Sequence, residues 1–211
     1  MEINTLVKKG KVNAFCGLSI STFLQSKETC CVRYKEYYPN VLVSDYIFSS
    51  SSSTEKKIID SLKMVLLSSD VLAKKMNVLS STEILKVELA ILLLQNVDTI
   101  VLYQFDCYFM EKELAYFKKL FKKLVLKYGK TIVLLDSNLL FLVDFADRIV
   151  VKNEKEELEV FVAPNFYEER LLELLGTPKI VEFVKFVNEN GKKLLPYTDM
   201  KELIKAIYRE V

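Results

Sequence analysis

The chain contains no histidine and no tryptophan, and only five glycines, four prolines and four cysteines among its 211 residues. Without imidazole, hydrolases of the Ser-His-Asp or Cys-His type and histidine-based proton shuttles are excluded for this chain by itself. Cys16, Cys30, Cys31 and Cys107 show no CxxC spacing, which argues against a zinc site and for buried structural thiols. No apolar run approaches the roughly 18 to 20 residues that a helix needs to cross a bilayer. The opening MEINTLVKKGKVNAF lacks the basic, apolar and small-residue order of a signal peptide. A soluble intracellular protein, without direct insertion in a membrane, is the expectation.

An excess of one charge is missing too. Lys and Arg total 30 against 28 for Asp and Glu, a sum of +2, which gives no general pull toward nucleic acid or anionic lipid and leaves local patches to be argued separately. No nucleic-acid partner is expected. What the chain does have is apolar residues, 51% of the total. That is enough for one domain with a buried core and a small appendage.

Apolar runs of strand length alternate with helix-like segments, the pattern of an α/β fold with a parallel sheet and crossover helices. Strands are expected near residues 12–16, 31–35, 41–47, 99–104, 131–136, 147–151 and 158–162. After Met110 a helix carries Leu114, Phe117, Leu120, Phe121, Leu124 and Val125 at spacings of three and four, with lysines between them and Gly129 as its stop. The serine run Ser49 to Ser53 reads as a loop leading into a helix that presents Ile58, Ile59, Leu62, Val65 and Leu66 on one face. Beyond Phe161 the pattern is helical. One helix starts at Thr177-Pro178, buries Ile180, Phe183, Val184 and Val187, and stops at Asn190-Gly191; a last one opens on Asp199 and Glu202 and buries Leu203, Ile204 and Ile207.

Six segments stand in a telling order: LSSTE (Leu79 to Glu83), a helix-length stretch ending at Asp98, TIVLYQF (Thr99 to Phe105), a charged stretch closing at YGK, TIVLLDSN (Thr131 to Asn138) and FADRIVV (Phe145 to Val151). Together with Gly10-Lys11-VNAFC-Gly17, they resemble an ATP-binding cassette (ABC) ATPase, a P-loop NTPase, over about three-quarters of the chain. The resemblance implies an ABC-ATPase-like domain over residues 1–162, with a shortened helical subdomain at about 49–98, and a helical segment over 163–211. It also implies that about Glu55 to Val78 forms the part that docks on a membrane permease.

The letters that carry the family's chemistry are replaced. A phosphate-binding loop needs two glycines, a lysine for the β and γ oxygens and a Ser or Thr for Mg²⁺. Here Gly17, Ser21 and Thr22 remain, while the second glycine and the lysine are missing and the loop is about three residues short. Each charge-assisted hydrogen bond lost removes roughly 1.5 to 3 kcal/mol, so losing several erases micromolar binding of about 8 kcal/mol. Gly10 and Gly17 then serve turns. None of the nine residues before Gly10 is aromatic, so the family's adenine-stacking residue is absent as well.

The family's Asp-Glu pair at the end of its catalytic strand falls on Tyr103 and Gln104, which supply neither a hard anionic oxygen for Mg²⁺ nor a carboxylate base. Asp106 shares the face of Gln104 if the strand continues, and reads either as a shifted acid or as a loop carboxylate. The boundary aspartate falls on Met110 and the switch histidine on Ser137. Of the glutamines Gln25, Gln95 and Gln104, only Gln25 precedes the signature, too early for the family's permease-linking glutamine.

In the signature segment, Leu79, Ser80 and Glu83 are kept while Ser81 and Thr82 replace glycines, and Lys86 stands where the family usually has arginine. The segment reads either as a remnant whose serine meets a phosphate bound by an opposite subunit, or as Ser80 or Ser81 capping a helix over 82–95, with Glu83 in its first turn, that buries Leu85, Leu89, Leu92 and Leu93.

The resemblance therefore implies a catalytically degenerate cassette subunit. It would pair with an active ATPase subunit or a permease, need no cofactor of its own, and meet Mg·ATP only at a composite site. A divergent ATPase using Gln104 or Asp106, and a scaffold or regulator away from any transporter, are the alternatives.

Overall fold

The computed structural model describes residues 6–19, 29–32, 37–191, 193–197 and 200–210. Their contacts divide the chain into two compact units, Met1–Asn13 with Leu18–Leu135, and Ala14–Gly17 with Asp136–Val211. Among the described residues the strands are β1 Val12–Cys16, β2 Thr29–Val32, β3 Thr99–Tyr103, β4 Thr131–Leu135, β5 Arg148–Lys152 and β6 Leu158–Val162; β2, β3 and β4 are hydrogen-bonded in that order in the first unit, and β5 with β6 in the second. The helices are α1 Val43–Ser50, α2 Glu55–Met64, α3 Ser81–Gln95, α4 Glu111–Tyr128, α5 Leu139–Val143, α6 Glu169–Leu175, α7 Lys179–Glu189 and α8 Met200–Glu210.

In the first unit, β2, β3 and β4 are parallel, with Thr29 opposite Thr99 and Thr99 opposite Thr131. Such central strands are covered on both faces, which is why β3 and β4 read as unbroken apolar runs rather than alternating ones. A phenylalanine cluster anchors the end of β3 to α4. The ring of Phe105 lies 4.5 Å from Phe109, 5.3 Å from Phe117 and 5.6 Å from Phe121. α4 follows its sequence pattern, with Phe117, Leu120, Phe121, Leu124 and Val125 buried. Gly129 ends it in the left-handed conformation, φ +65°. α1 and α2 pack on α3, and Tyr46 on α1 donates to Glu88 at 2.9 Å.

The expected strand over 41–47 is a helix. Val43 and Ile47, four residues apart, are fully buried, and Asp45 sits in the first turn, where the helix dipole favours an anion. An apolar run of that length cannot by itself distinguish helix from strand. Only Leu42 keeps strand character, in an isolated bridge to Lys75. The serine run is helical at its start, since Ser49 and Ser50 donate back to the Tyr46 carbonyl and the loop begins at Ser51. Strand 31–35 is β2 at Thr29–Val32, with residues 33–36 outside those described.

In the second unit, β5 and β6 form an antiparallel hairpin whose turn is held by Asn153, which accepts from the backbone of Lys155 and Glu157. α6, α7 and α8 follow, helices alone as the pattern implies. Two stripes are rotated from expectation. α7 buries Ile180, Val181 and Val184 while Phe183 is 43% exposed, and α8 buries Leu203 and Ala206 while Ile204 is 45% exposed. α7 begins at Lys179 with Pro178 in the capping position, and Asp199 lies outside the described residues. Leu66 is also exposed, because the chain leaves α2 through a left-handed φ of 62° at that residue. Cys16 is buried as expected, its thiol pushed up to about 12 by desolvation and then by the charge of Asp136. Cys107 is not buried; it stands on an exposed helical turn, Phe105–Tyr108.

One fully buried polar side chain governs the entry to β1. Asn13 accepts from Lys8 N–H at 2.9 Å and donates to the carbonyls of Lys8 at 3.0 Å and Lys11 at 3.1 Å, closing the turn around Gly10. Replacing it with leucine leaves those backbone groups without their partner. Asn13→Leu is expected to cost about 2 kcal/mol, read as a lower midpoint in urea denaturation with an unchanged slope.

Candidate functional site

β1 ends at Cys16, and Gly17 turns the chain with φ +75°; a Cβ there would meet Lys152 Cβ at 3.4 Å and its carbonyl at 3.5 Å. Glycine is thus favoured by the backbone conformation, while β5 lies at ordinary van der Waals distance. Ser21, Thr22 and Gln25 lie outside the described residues.

At the end of β3, Tyr103 is half-buried and Gln104 is exposed. The strand stops because Gln104 takes φ 46°, ψ 42°, the left-handed region, while its N–H donates to the Leu135 carbonyl at 2.9 Å. A side chain in that region costs about 1 to 2 kcal/mol relative to right-handed backbone. Asp106 does not continue a strand face with Gln104, since residues 105–108 form a helical turn whose period is three. Met110 caps α4 and is 80% exposed.

In the second unit, Ser137 is exposed and its N–H donates to Asp136 Oδ1 at 2.7 Å, as does the N–H of Asn138 at 3.0 Å. Asn138 in turn accepts from Phe141 N–H as the cap of α5. Asp136 is thereby engaged in shaping a turn.

The signature segment has the most developed local chemistry. Leu79 is buried and Ser80 precedes α3 as its cap. Ser80 Oγ accepts from Glu83 N–H at 3.2 Å, and Glu83 Oε2 accepts from both the N–H and the hydroxyl of Ser80 at 2.9 Å. This reciprocal box satisfies two of the donors that a helix start leaves open, the amides of Ser80 and Glu83. Lys74 pairs with the other oxygen of Glu83 at 3.1 Å. The Ser80 hydrogen bonds, ahead of Lys74, hold the Glu83 carboxyl below its usual range. Ser81 is the first helical residue, and Thr82 donates to the Tyr108 carbonyl at 2.9 Å, tying the segment to the turn after β3. Lys86 is buried, pairs with Glu113 at 2.6 Å and lies 5.9 Å from the centre of the Phe109 ring.

The end of β3 presents a phenol and an amide, neither of them the hard anionic oxygen that a divalent cation prefers. At the start of α3 the amide and hydroxyl of Ser80 are both engaged by Glu83, a carboxylate of the chain itself. Among the described residues no group of three or more acids or cysteines could hold a metal ion.

No protein-family profile matches the chain, and no curated protein matches it in sequence. Solved structures do. One is a transporter described as of the metal-chelate ABC type, in an inward-facing conformation, at 14% identity over 80% of this chain and 78% of that one, with a TM-score of 0.64. The chain has an ABC ATPase-like fold. Two further structures with this fold are an ATP-binding cassette in a dimeric post-hydrolysis state bound to ADP and Pi, at 17% identity and a TM-score of 0.61, and a dimeric bacterial ABC transporter cassette, at 17% and 0.59. Each covers 75% of this chain and 88% of its own. Among the described residues no helix is long and apolar enough to cross a membrane.

Sequence reasoning found the Ser80–Glu83 spacing but left its role open. It missed the Thr82–Tyr108 bond, which joins residues 26 apart and has no local signal, and it missed Asn13, whose only sign is a polar residue inside an apolar strand.

Two outcomes follow. Ser80→Ala is expected to cost about 1 kcal/mol, whereas Gln104→Gly is expected to gain up to about 1 kcal/mol, both by chemical denaturation. Because the folded Glu83 pKa is depressed, its stabilisation is complete above the unfolded-state pKa and is lost as pH falls through the folded one. The cost of Ser80→Ala should therefore shrink as pH is lowered from neutral to below the ordinary glutamate range.

Proposed function

We propose that the chain is a catalytically degenerate ATP-binding cassette subunit of an ABC transporter complex, which supports transport by pairing with an active ATPase subunit or a membrane permease. The fold supports the cassette half of this reading, and one of the similar structures is described as an ABC transporter. The observation that carries the degenerate half is the pair of replaced strand-end residues, Tyr103 and Gln104, together with a signature serine whose hydroxyl and amide both serve Glu83.

In a cassette dimer of the kind seen in the similar structures, such a subunit contributes shape. It offers a partner a complementary surface while the partner's own loop and acids hold nucleotide. Thr82 and Lys86 fix the signature segment against the turn after β3 and against α4, so the surface is rigid without ligand. Any composite site would draw its Mg²⁺ ligands and base from the partner.

Titration calorimetry of the isolated chain with Mg·ATP is expected to give no saturable heat at micromolar to sub-millimolar nucleotide. Affinity purification from the native host is expected to recover an intact cassette ATPase or a multi-span membrane protein. Micromolar ATP binding by the isolated chain would instead favour a divergent ATPase. Recovery of only soluble, non-cassette proteins would favour a scaffold.

A further inference from the structure

In a chain whose net charge is +2, residues 118–130 hold six lysines and no acid. Five of these, Lys118, Lys119, Lys122, Lys123 and Lys127, belong to α4. Lys119, Lys122, Lys123 and Lys127 are exposed, and spacings of three and four put them on one face together with Lys112, opposite the buried Phe117, Phe121 and Leu124. An ordinary solvated helix face mixes signs, with acids three or four residues from lysines. Here Lys119–Lys122, Lys119–Lys123 and Lys123–Lys127 are like-charge neighbours, a repulsion that a bound anionic surface would relieve.

An exposed apolar side chain stands among these lysines in the last turn of α4. Leu126, flanked by Lys122, Lys123 and Lys127, is 83% exposed, and Tyr128 is 54% exposed with Lys127 Nζ 5.7 Å from its ring centre. At the same end of α4 an apolar recess of about 470 Å³ is walled by Met64, Leu92, Leu93, Val97 and Leu124, with Lys57 and Asp60 among its polar lining. Lysine is a hydrated point charge on a flexible apolar stem, whereas recognition of individual phosphates favours the planar fork of arginine. The face has no arginine. Lysines around a protruding leucine match a surface of diffuse negative charge over an apolar layer.

We propose that the outward face of α4 is a contact surface for an anionic phospholipid membrane, with Lys119, Lys122, Lys123 and Lys127 meeting headgroups and Leu126 entering the interface. The helix lies on the membrane and does not span it. The proposal does not depend on the transporter reading, because it needs neither nucleotide nor permease.

The test is co-sedimentation of the purified chain with vesicles of phosphatidylcholine alone or phosphatidylcholine with phosphatidylserine, at about 0.1 M salt, where the screening length is about 10 Å. Binding is expected only to the anionic vesicles and should fall as salt rises. Each Lys→Gln change at 119, 122, 123 or 127 should lower the partition coefficient roughly fivefold, the equivalent of about 1 kcal/mol per lysine. L126A should weaken binding without altering its salt dependence. A control carrying Lys155→Gln, Lys179→Gln and Lys185→Gln should bind as the parent does. Unchanged thermal transitions would confirm that all variants fold. No binding to anionic vesicles, binding indifferent to the four α4 lysines, or tighter binding to an oligonucleotide than to the vesicles would each overturn the proposal, and none of these results would bear on cassette pairing.

Discussion

The first unit is organised around a helix that has to be buried. α3 carries Ile84, Leu85, Val87, Leu89, Ala90, Ile91 and Leu92, all buried, so it has no free side to turn to water. A buried helix still has open donors at one end and open carbonyls at the other. At its start the chain supplies Ser80 and Glu83 in a closed box, Lys74 outside the carboxylate and Thr82 reaching to Tyr108. At its end Asn96 turns left-handed, φ 54°, and the Asn96 carbonyl accepts from Lys130 at 2.9 Å. The one cation within the buried stretch, Lys86, keeps its charge partnered by Glu113 and faces Phe109. Losing Glu113 would strand an ammonium away from water, a far larger penalty than losing a surface pair.

This requirement bears directly on function. A signature segment can serve an incoming phosphate only if its amide and hydroxyl are left open to it. Here the fold's own need for a satisfied helix start and the ligand's need for free donors compete for the same atoms. Glu83, three residues after Ser80, meets the first. In the proposed cassette reading, serine and threonine in place of two glycines would also leave less room for a phosphate to approach the backbone. Structural capping and phosphate binding, open alternatives in the sequence, thus become one question of which anion holds Ser80.

Where the sequence was legible, a single physical signal dominated. α4 and the strands β3, β4, β5 and β6 show clear periodicity or clear apolar runs, and Gly129 marks a real left-handed stop. α1 was misread because Val41 to Phe48 is apolar and aromatic enough for a strand, while the spacing that decides, Val43 to Ile47, is only two residues deep. In α7 and α8 the period was right and its phase was not. Phe183 and Ile204 are exposed because the buried sides follow Val181 and Ala206, and that phase is set by neighbouring elements that a local pattern does not contain. The face-sharing of Gln104 and Asp106 failed for a related reason. It assumed that β3 continues past Tyr103, and nothing in the letters announces the left-handed turn at glutamine.

Most positions where the resemblance implies a changed residue lie outside the core, and Lys86, buried and paired with Glu113, is the exception. Tyr103 is half-buried, while Gln104, Met110 and Ser137 are exposed. The residues that carry the packing, such as Phe105, Phe117, Phe121, Leu85 and Ile100, sit one or more residues away from them. Stability and chemistry are therefore written in separate letters, and the chemical ones can change without the scaffold failing. Glutamine at 104 even keeps a strained backbone that glycine would relax. The same separation operates on the outside of α4, where the inward face is fixed by the phenylalanine cluster and the outward face is free to gather lysines. The fold thus leaves the charge on the outward face of α4 open to change without disturbing the core.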